Sequence, residues 1–262
     1  MSIAARPVAV VTGAARGIGR ASAVALARAG FNAVINDFTG PDDRARLDSL
    51  AEELGRLGAE SVTYPLDVGD LTGHAAFFDA AIARWGRLDC LMNNAGVSVL
   101  RRGDILDVDL ESYEHNMRVN TRAVFFLCQR AARLMLAQGQ IGPQHRSIIN
   151  VTSSNVDAVS LSRSEYCVAK AASAMTTKLF ALRLADAGIG VYEIRPGIIE
   201  TEMTHPSKAK YDALIADGLV PMRRWGQPDD VASAVVCMAT GRLPYTVGQP
   251  VMIDGGLTIP RF

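Results

Sequence analysis

The chain carries no excess charge of either sign: 27 Lys and Arg balance 27 Asp and Glu. The broad electrostatic footprint of a nucleic-acid or anionic-membrane partner is therefore missing. Cysteine is scarce, and Cys90, Cys128, Cys167 and Cys237 fall at neither metal-ligand nor redox-motif spacing. That argues against a disulfide scaffold and fits a reducing, cytoplasmic setting. The four histidines are scattered, so no metal site is expected. No apolar run reaches the roughly 18 residues that a membrane span needs. The stretch from Met1 to Pro7 is too short to hold a secretory leader before structure begins, and none is expected. Internal repeats, low-complexity tracts and domain linkers are also lacking. What remains is 262 residues, 49% of them hydrophobic, enough to bury one large core. One domain over residues 1–262 is expected.

Short apolar runs alternate with longer helical patterns. Strands are expected at Val8–Val11, Ala33–Ile35, Ser61–Leu66, Leu88–Met92, Ser147–Val151, Val191–Ile194 and Pro250–Ile253. Helices are expected from about Ile18 to Ala29, over Leu47–Leu57 and Ala75–Trp85, as one long helix over Glu111–Gln138, and from the Tyr166 region to about Ala187. Such alternation predicts an α/β, doubly wound Rossmann fold with a seven-stranded parallel sheet and helices on both faces. Gly139–Arg146 and Glu202–Gly226 look loop-like. The second follows a strand end, where ligands bind in such sheets, and is read as a substrate lid at about residues 202–226.

Thr12-Gly13-Ala14-Ala15-Arg16-Gly17-Ile18-Gly19 links the first strand to the first helix. Glycines there permit a tight turn and close backbone approach to a pyrophosphate, and the helix start offers N–H groups and a positive dipole end. Asp37 closes the second strand, where a carboxylate accepts from ribose hydroxyls and repels a 2′-phosphate. Arg16 is an opposing signal, since a basic group there can meet that phosphate, but the neighbour of Asp37 is Phe38 and not a cation. NAD(H) is favoured, with NADP(H) as the alternative. Asp67-Val68, ending the third strand, either flanks an adenine or caps a helix.

Tyr166 and Lys170 stand four apart, one face of a helix, with Ser153 thirteen residues before Tyr166. An ammonium beside a phenol favours the phenolate and makes the tyrosine usable in proton transfer, while burial works against it. Reduction of a carbonyl to an alcohol needs such a proton donor once a hydride source is at hand.

With these pieces in order, together with Asn93-Asn94-Ala95-Gly96, Asn120, Pro196-Gly197 and Asp254-Gly255-Gly256, the chain resembles the short-chain dehydrogenase/reductase family from Val8 to about Gly256. The resemblance implies that Tyr166 is the general acid/base and that Ser153 holds the substrate oxygen. Lys170 is implied to lower the Tyr166 pKa and to bind the nicotinamide ribose, and Asn120 to hold a water linking Lys170 to solvent. Asn94, Ala95 and Gly96 are implied to line the cofactor, and Pro196, Gly197, Ile199 and Thr201 to seat the carboxamide and part of the pyrophosphate. A homotetramer is also implied, with the long helix and the Tyr-Lys helix pairing with their symmetry mates.

Within the family the chain is similar to members labelled 3-oxoacyl-[acyl-carrier-protein] reductase, in the stretches from Pro196 to Met203 and from Trp225 to Ala232. The expected substrate is thus a small carbonyl or alcohol, or an acyl thioester. Two departures count against the fatty-acid role: Asp37 argues for NAD, and Ala187 stands where a basic residue docks the carrier protein. A sugar, polyol or other secondary-alcohol dehydrogenase is the alternative, and a non-catalytic dinucleotide-binding regulator a remote one. Arg163 is either a solvated loop residue or a contact for an acidic substrate. Met203, Tyr211, Leu214, Met222 and Trp225 would give the lid an apolar underside.

Overall fold

The structure, a computed structural model, describes residues 6–261. Seven strands form one parallel sheet: β1 (Val8–Val11), β2 (Asn32–Ile35), β3 (Ser61–Thr63), β4 (Cys90–Asn93), β5 (Arg146–Val151), β6 (Ile189–Pro196) and β7 (Pro250–Ile253). Their order is β3-β2-β1-β4-β5-β6-β7, so the strand order reverses between β1 and β4. A ligand crevice opens at that reversal, beyond the carboxyl ends of the strands.

Alternation along each strand builds two cores. Ala9, Val11, Ile35, Met92, Ile149 and Ile194 face one side, against Leu26 of α1 (Gly17–Arg28), Leu47, Leu50 and Leu54 of α2 (Pro41–Arg56), and Val231, Val235 and Met238 of the helix Pro228–Ala239. Val8, Val10, Val34, Leu91, Ile148 and Val191 face the other. They meet Phe77 and Phe78 of α3 (His74–Trp85), Leu127 and Ala131 of the helix Val124–Gln138, and Ala181 and Leu184 of the Tyr-Lys helix. Helices thus cover both faces, as expected.

Several elements differ from the sequence reading. The helix α2 starts at Pro41, six residues earlier than expected, because Pro takes the first turn and Asp42 and Asp43 favour its positive end. β3 is only three residues long. The long helix is interrupted: α4 (Leu110–Met117) and α5 (Val124–Gln138) flank a π turn at Arg118–Ala123. The Tyr-Lys helix α6 (Ser164–Leu184) hands over to a 3₁₀ turn, Ala185–Ala187, before Gly188 at φ 65°. The segment read as loop contains α7 (Lys208–Ala216). Helix α8 (Pro228–Ala239) is absent from the sequence reading, although Gln227, Pro228 and Asp230 spell a capping box with Pro in its first turn.

Candidate active site

The carboxyl ends of β4, β5 and β6 and the start of α6 bring the candidate proton-transfer residues together. Tyr166 and Lys170 share a face of α6, with the Lys170 Nζ 5.7 Å from the Tyr166 ring centroid. That ammonium is buried and donates to the Val151 carbonyl at 3.0 Å. Burial pulls its pKa down to about 8, and the Glu193 carboxylate opposes the fall. Ser153, also buried, follows β5, and its Oγ accepts from the Asn155 N–H at 3.1 Å.

Opposing influences act on the Tyr166 phenol. Burial holds its phenol above the ordinary value, and what draws it back is the Ser153 hydroxyl and the positive charge of Arg163. Lys170, beside the same ring, is desolvated as well and bonds a backbone carbonyl. The Arg163 guanidinium lies over the same ring, its Cζ 5.7 Å from the centroid.

Asn120 falls within the π turn and is fully buried. Its Nδ2 donates to Val97 O at 3.0 Å and Asn116 Oδ1 at 2.9 Å, and its Oδ1 accepts from Val97 N at 3.0 Å. Both amide donors are therefore spent on protein, leaving one Oδ1 lone pair and the backbone for any water. A Cβ on Gly96 would stand 2.9 Å from that Oδ1 and 3.4 Å from the Lys170 Nζ. Asn116 was missed in the sequence, where it reads as one more polar helix residue.

Behind Ser153 lies a second group that the sequence did not disclose. Thr152 Oγ1 donates to the fully buried Glu193 at 2.6 Å. Arg195, one β-repeat along β6, donates to Glu193 Oε1 at 2.6 Å and reaches Asp157 Oδ2 at 2.5 Å. This ladder ties β6 to both ends of the Ser153 segment. It also removes Thr152 as a rival to Ser153, since its hydroxyl is committed. The signal was present as Glu-x-Arg on a strand, two charges pointing to one face.

The residues of the glycine turn fit a dinucleotide. Gly13 and Gly17 have φ of 65° and 51°, a region that favours glycine. The side chain of Arg16 does not cap α1, so the N–H groups at its start are left for a ligand. Asp37 accepts from Ala15 N and Phe38 N, both at 2.8 Å, which fixes its carboxylate at the end of β2. The Phe38 ring is exposed. Thr12 and Asn94 hold the turn against β4: Asn94 Nδ2 donates to Thr12 O and Gly13 O, and Thr12 Oγ1 accepts from Asn94 N and Ala95 N. Asn94, half-buried, thus braces the turn. Asp67 is also engaged, with Arg118 Nη1 at 2.7 Å and Gly69 N at 2.8 Å, while Val68 is buried and its carbonyl bonds His74.

Pro196 ends β6, and a Cβ on Gly197 would meet the Asp254 Cα at 2.7 Å. Buried Ile199 bridges to Gly226 across the base of the 202–226 segment, and the Thr201 methyl stands against Gly17. Glu202 accepts from Arg16 at 3.2 Å and from Arg46 at 3.1 Å, so Arg16 is bound to the segment after β6. Of the expected apolar underside, Tyr211 and Trp225 meet edge to face at 5.8 Å, but Met203 and Met222 are exposed.

Comparison with known proteins places this arrangement in context. A family model described as enoyl-(acyl carrier protein) reductase matches residues 13–258. The 2-dehydro-3-deoxy-D-gluconate 5-dehydrogenase of Dickeya dadantii is 32% identical over 251 residues, covering 95% of this chain and 94% of its own. The 3-oxoacyl-[acyl-carrier-protein] reductase FabG of Thermotoga maritima is 32% identical over 254 residues, 96% of this chain and 98% of its own. The crystal structure of 3-oxoacyl-[acyl-carrier protein] reductase from Brucella melitensis in complex with NAD superposes with a TM-score of 0.93 at 40% identity, over 98% of this chain and 99% of that one. Related structures hold NAD in one case and NADP in another.

Proposed function

The chain belongs to the short-chain dehydrogenase/reductase family, an oxidoreductase of CH–OH groups, and on that premise we propose how its residues divide the work. The observation that carries the reading is the convergence of Ser153, Tyr166 and Lys170 where Lys170 reaches both the Val151 carbonyl and the Tyr166 ring. A bound nicotinamide dinucleotide supplies or accepts the hydride. Ser153 and the Tyr166 hydroxyl hold the substrate oxygen, and Tyr166 gives its proton to that oxygen in reduction and takes it back in oxidation. A phenol kept protonated by burial suits the reductive direction. Lys170 holds a positive charge under the phenol, and Asn120 with the π turn marks the route by which it exchanges protons. The glycine turn, Asp37 and residues 196–201 hold the dinucleotide.

NAD(H) is the proposed cofactor, because a carboxylate like that of Asp37 just past β2 would accept from ribose hydroxyls and repel a 2′-phosphate, and Glu202 and Asp43 already face Arg16. The substrate reading divides between a 3-oxoacyl thioester and a sugar or sugar acid. We propose one functional unit over residues 1–262, with 202–226 as the substrate lid, acting in the cytoplasm as its four free thiols suggest. Val168, Met175, Leu179 and Leu182 leave an exposed apolar stripe on α6, and Phe126 adds to it on α5. A homotetramer would bury it.

The test is oxidation of NADH and NADPH in parallel, with acetoacetyl-CoA and a ketose and keto-acid panel as acceptors. Tyr166→Phe is expected to abolish turnover and keep dinucleotide binding. Turnover close to the parent's in that variant would defeat the assignment.

A further inference from the structure

Arg163 is a cation beside the candidate reacting centre with neither an acidic nor a backbone partner among the described residues. Its guanidinium lies over the Tyr166 ring, Cζ 5.7 Å from the centroid. Its Nε is buried and, among the described residues, has no hydrogen-bond partner. The nearby acids are taken: Asp157 by Arg195, and Glu165 by the Ser112 hydroxyl at 2.6 Å. Lys170, the other cation at the ring, bonds Val151. A planar guanidinium held on an aromatic face, with its donors uncommitted, is a fork set to receive a carboxylate.

We infer that Arg163 is a specificity-determining residue that receives a carboxylate of the substrate, so that the preferred substrate is a carbonyl compound bearing a free carboxylate a few bonds from the reacting carbon. This rests on the proposed oxidoreductase reading and narrows it. The anion must lie close to the carbonyl because Arg163 and the proton donor share one ring. An acyl thioester carries no anion at that distance; its phosphates lie many bonds away, at the far end of a carrier arm. Sugar acids and other keto acids carry one. The hydroxyls of half-buried Ser160 and exposed Ser162, 3.5 Å apart and just before Arg163, suit a hydroxylated chain.

The discriminating pair is 5-dehydro-D-gluconate and L-sorbose, which differ only in a carboxylate replaced by a hydroxymethyl group. The parent protein with NADH is expected to favour the acid by about 30-fold or more in kcat/KM, mostly through KM. Arg163→Gln should bring the two within about threefold, while Arg163→Lys, which keeps the charge and loses the fork, should fall between. Acetoacetyl-CoA reduction, measured alongside, should not show the acid-specific loss. An independent readout is calorimetry of D-gluconate on Tyr166→Phe loaded with NADH, where adding Arg163→Gln should remove binding. Equal losses on acid, ketose and thioester would mean that Arg163 acts only on Tyr166 and would overturn the inference, as would an unchanged ratio. A parent protein inert toward every carbonyl compound with either dinucleotide would instead defeat the oxidoreductase reading itself.

Discussion

Glu193, wholly buried, accepts a 2.6 Å hydrogen bond from Thr152, the residue between the carbonyl that anchors Lys170 and the hydroxyl of Ser153. One carboxylate therefore fixes the backbone on which two candidate catalytic groups depend.

Glu193→Gln should cost about 3 kcal/mol of stability, because it leaves the buried Arg195 with only its outer partner, Asp157. It should also lower kcat more than it raises KM, since Ser153 and Lys170 lose their support together. Chemical denaturation and steady-state kinetics read both effects. A variant as stable and as fast as the parent would show the ladder to be idle.

Lys170→Met should separate stability from activity. Burial holds the Lys170 pKa near 8 against 10.5 when free, so the unfolded chain binds more protons between those values. Below about pH 8 the folded state bears the cost of a buried charge, and stability returns as the pH climbs toward 10.5. The methionine variant should melt above the parent at pH 7, by an amount on the order of 3 kcal/mol, and the gap should close by pH 10.5. Its turnover should be lost. Melting below the parent at pH 7 would contradict the burial argument.

Glu202→Gln should raise kcat/KM for NADPH several-fold relative to NADH. It frees Arg16 and Arg46 from the carboxylate they share. Parallel titrations with the two dinucleotides measure the ratio, and a ratio that does not move would mean that Arg16 takes no part in cofactor choice.

Thiol reagents at pH 8 should modify at most Cys167 and Cys237 in the folded protein. Cys90 and Cys128 are buried, and burial pushes both thiols up to about 12. Four thiols should react after unfolding, and fast labelling of Cys90 in the native state would speak against the packing around β4.

The seven strands were legible because each is a short apolar run between turn residues, and the glycine turn because positive φ demands glycine at Gly13 and Gly17. Helix ends were less so. The π turn at Arg118–Ala123 is set by tertiary contacts of Asn120 to Val97 and Asn116, which no periodicity reports. Tyr166 and Lys170 could be found by spacing, but their proton affinities could not. Those follow from burial, which raises the phenol of Tyr166 and lowers the ammonium of Lys170. Glu193 and Arg195 hid in a strand that reads as core, since a charged pair there becomes intelligible only once Asp157 and Thr152 are seen to close around it.

The close approach of Gly96 to Asn120 and Lys170 bears on how this chain can change over generations. No single codon change that adds a side chain at position 96 leaves both neighbours where they are. Any such change has to be met by movement of the Asn120 amide, held by Val97 and Asn116, while Lys170 at 3.4 Å can stay in ordinary contact.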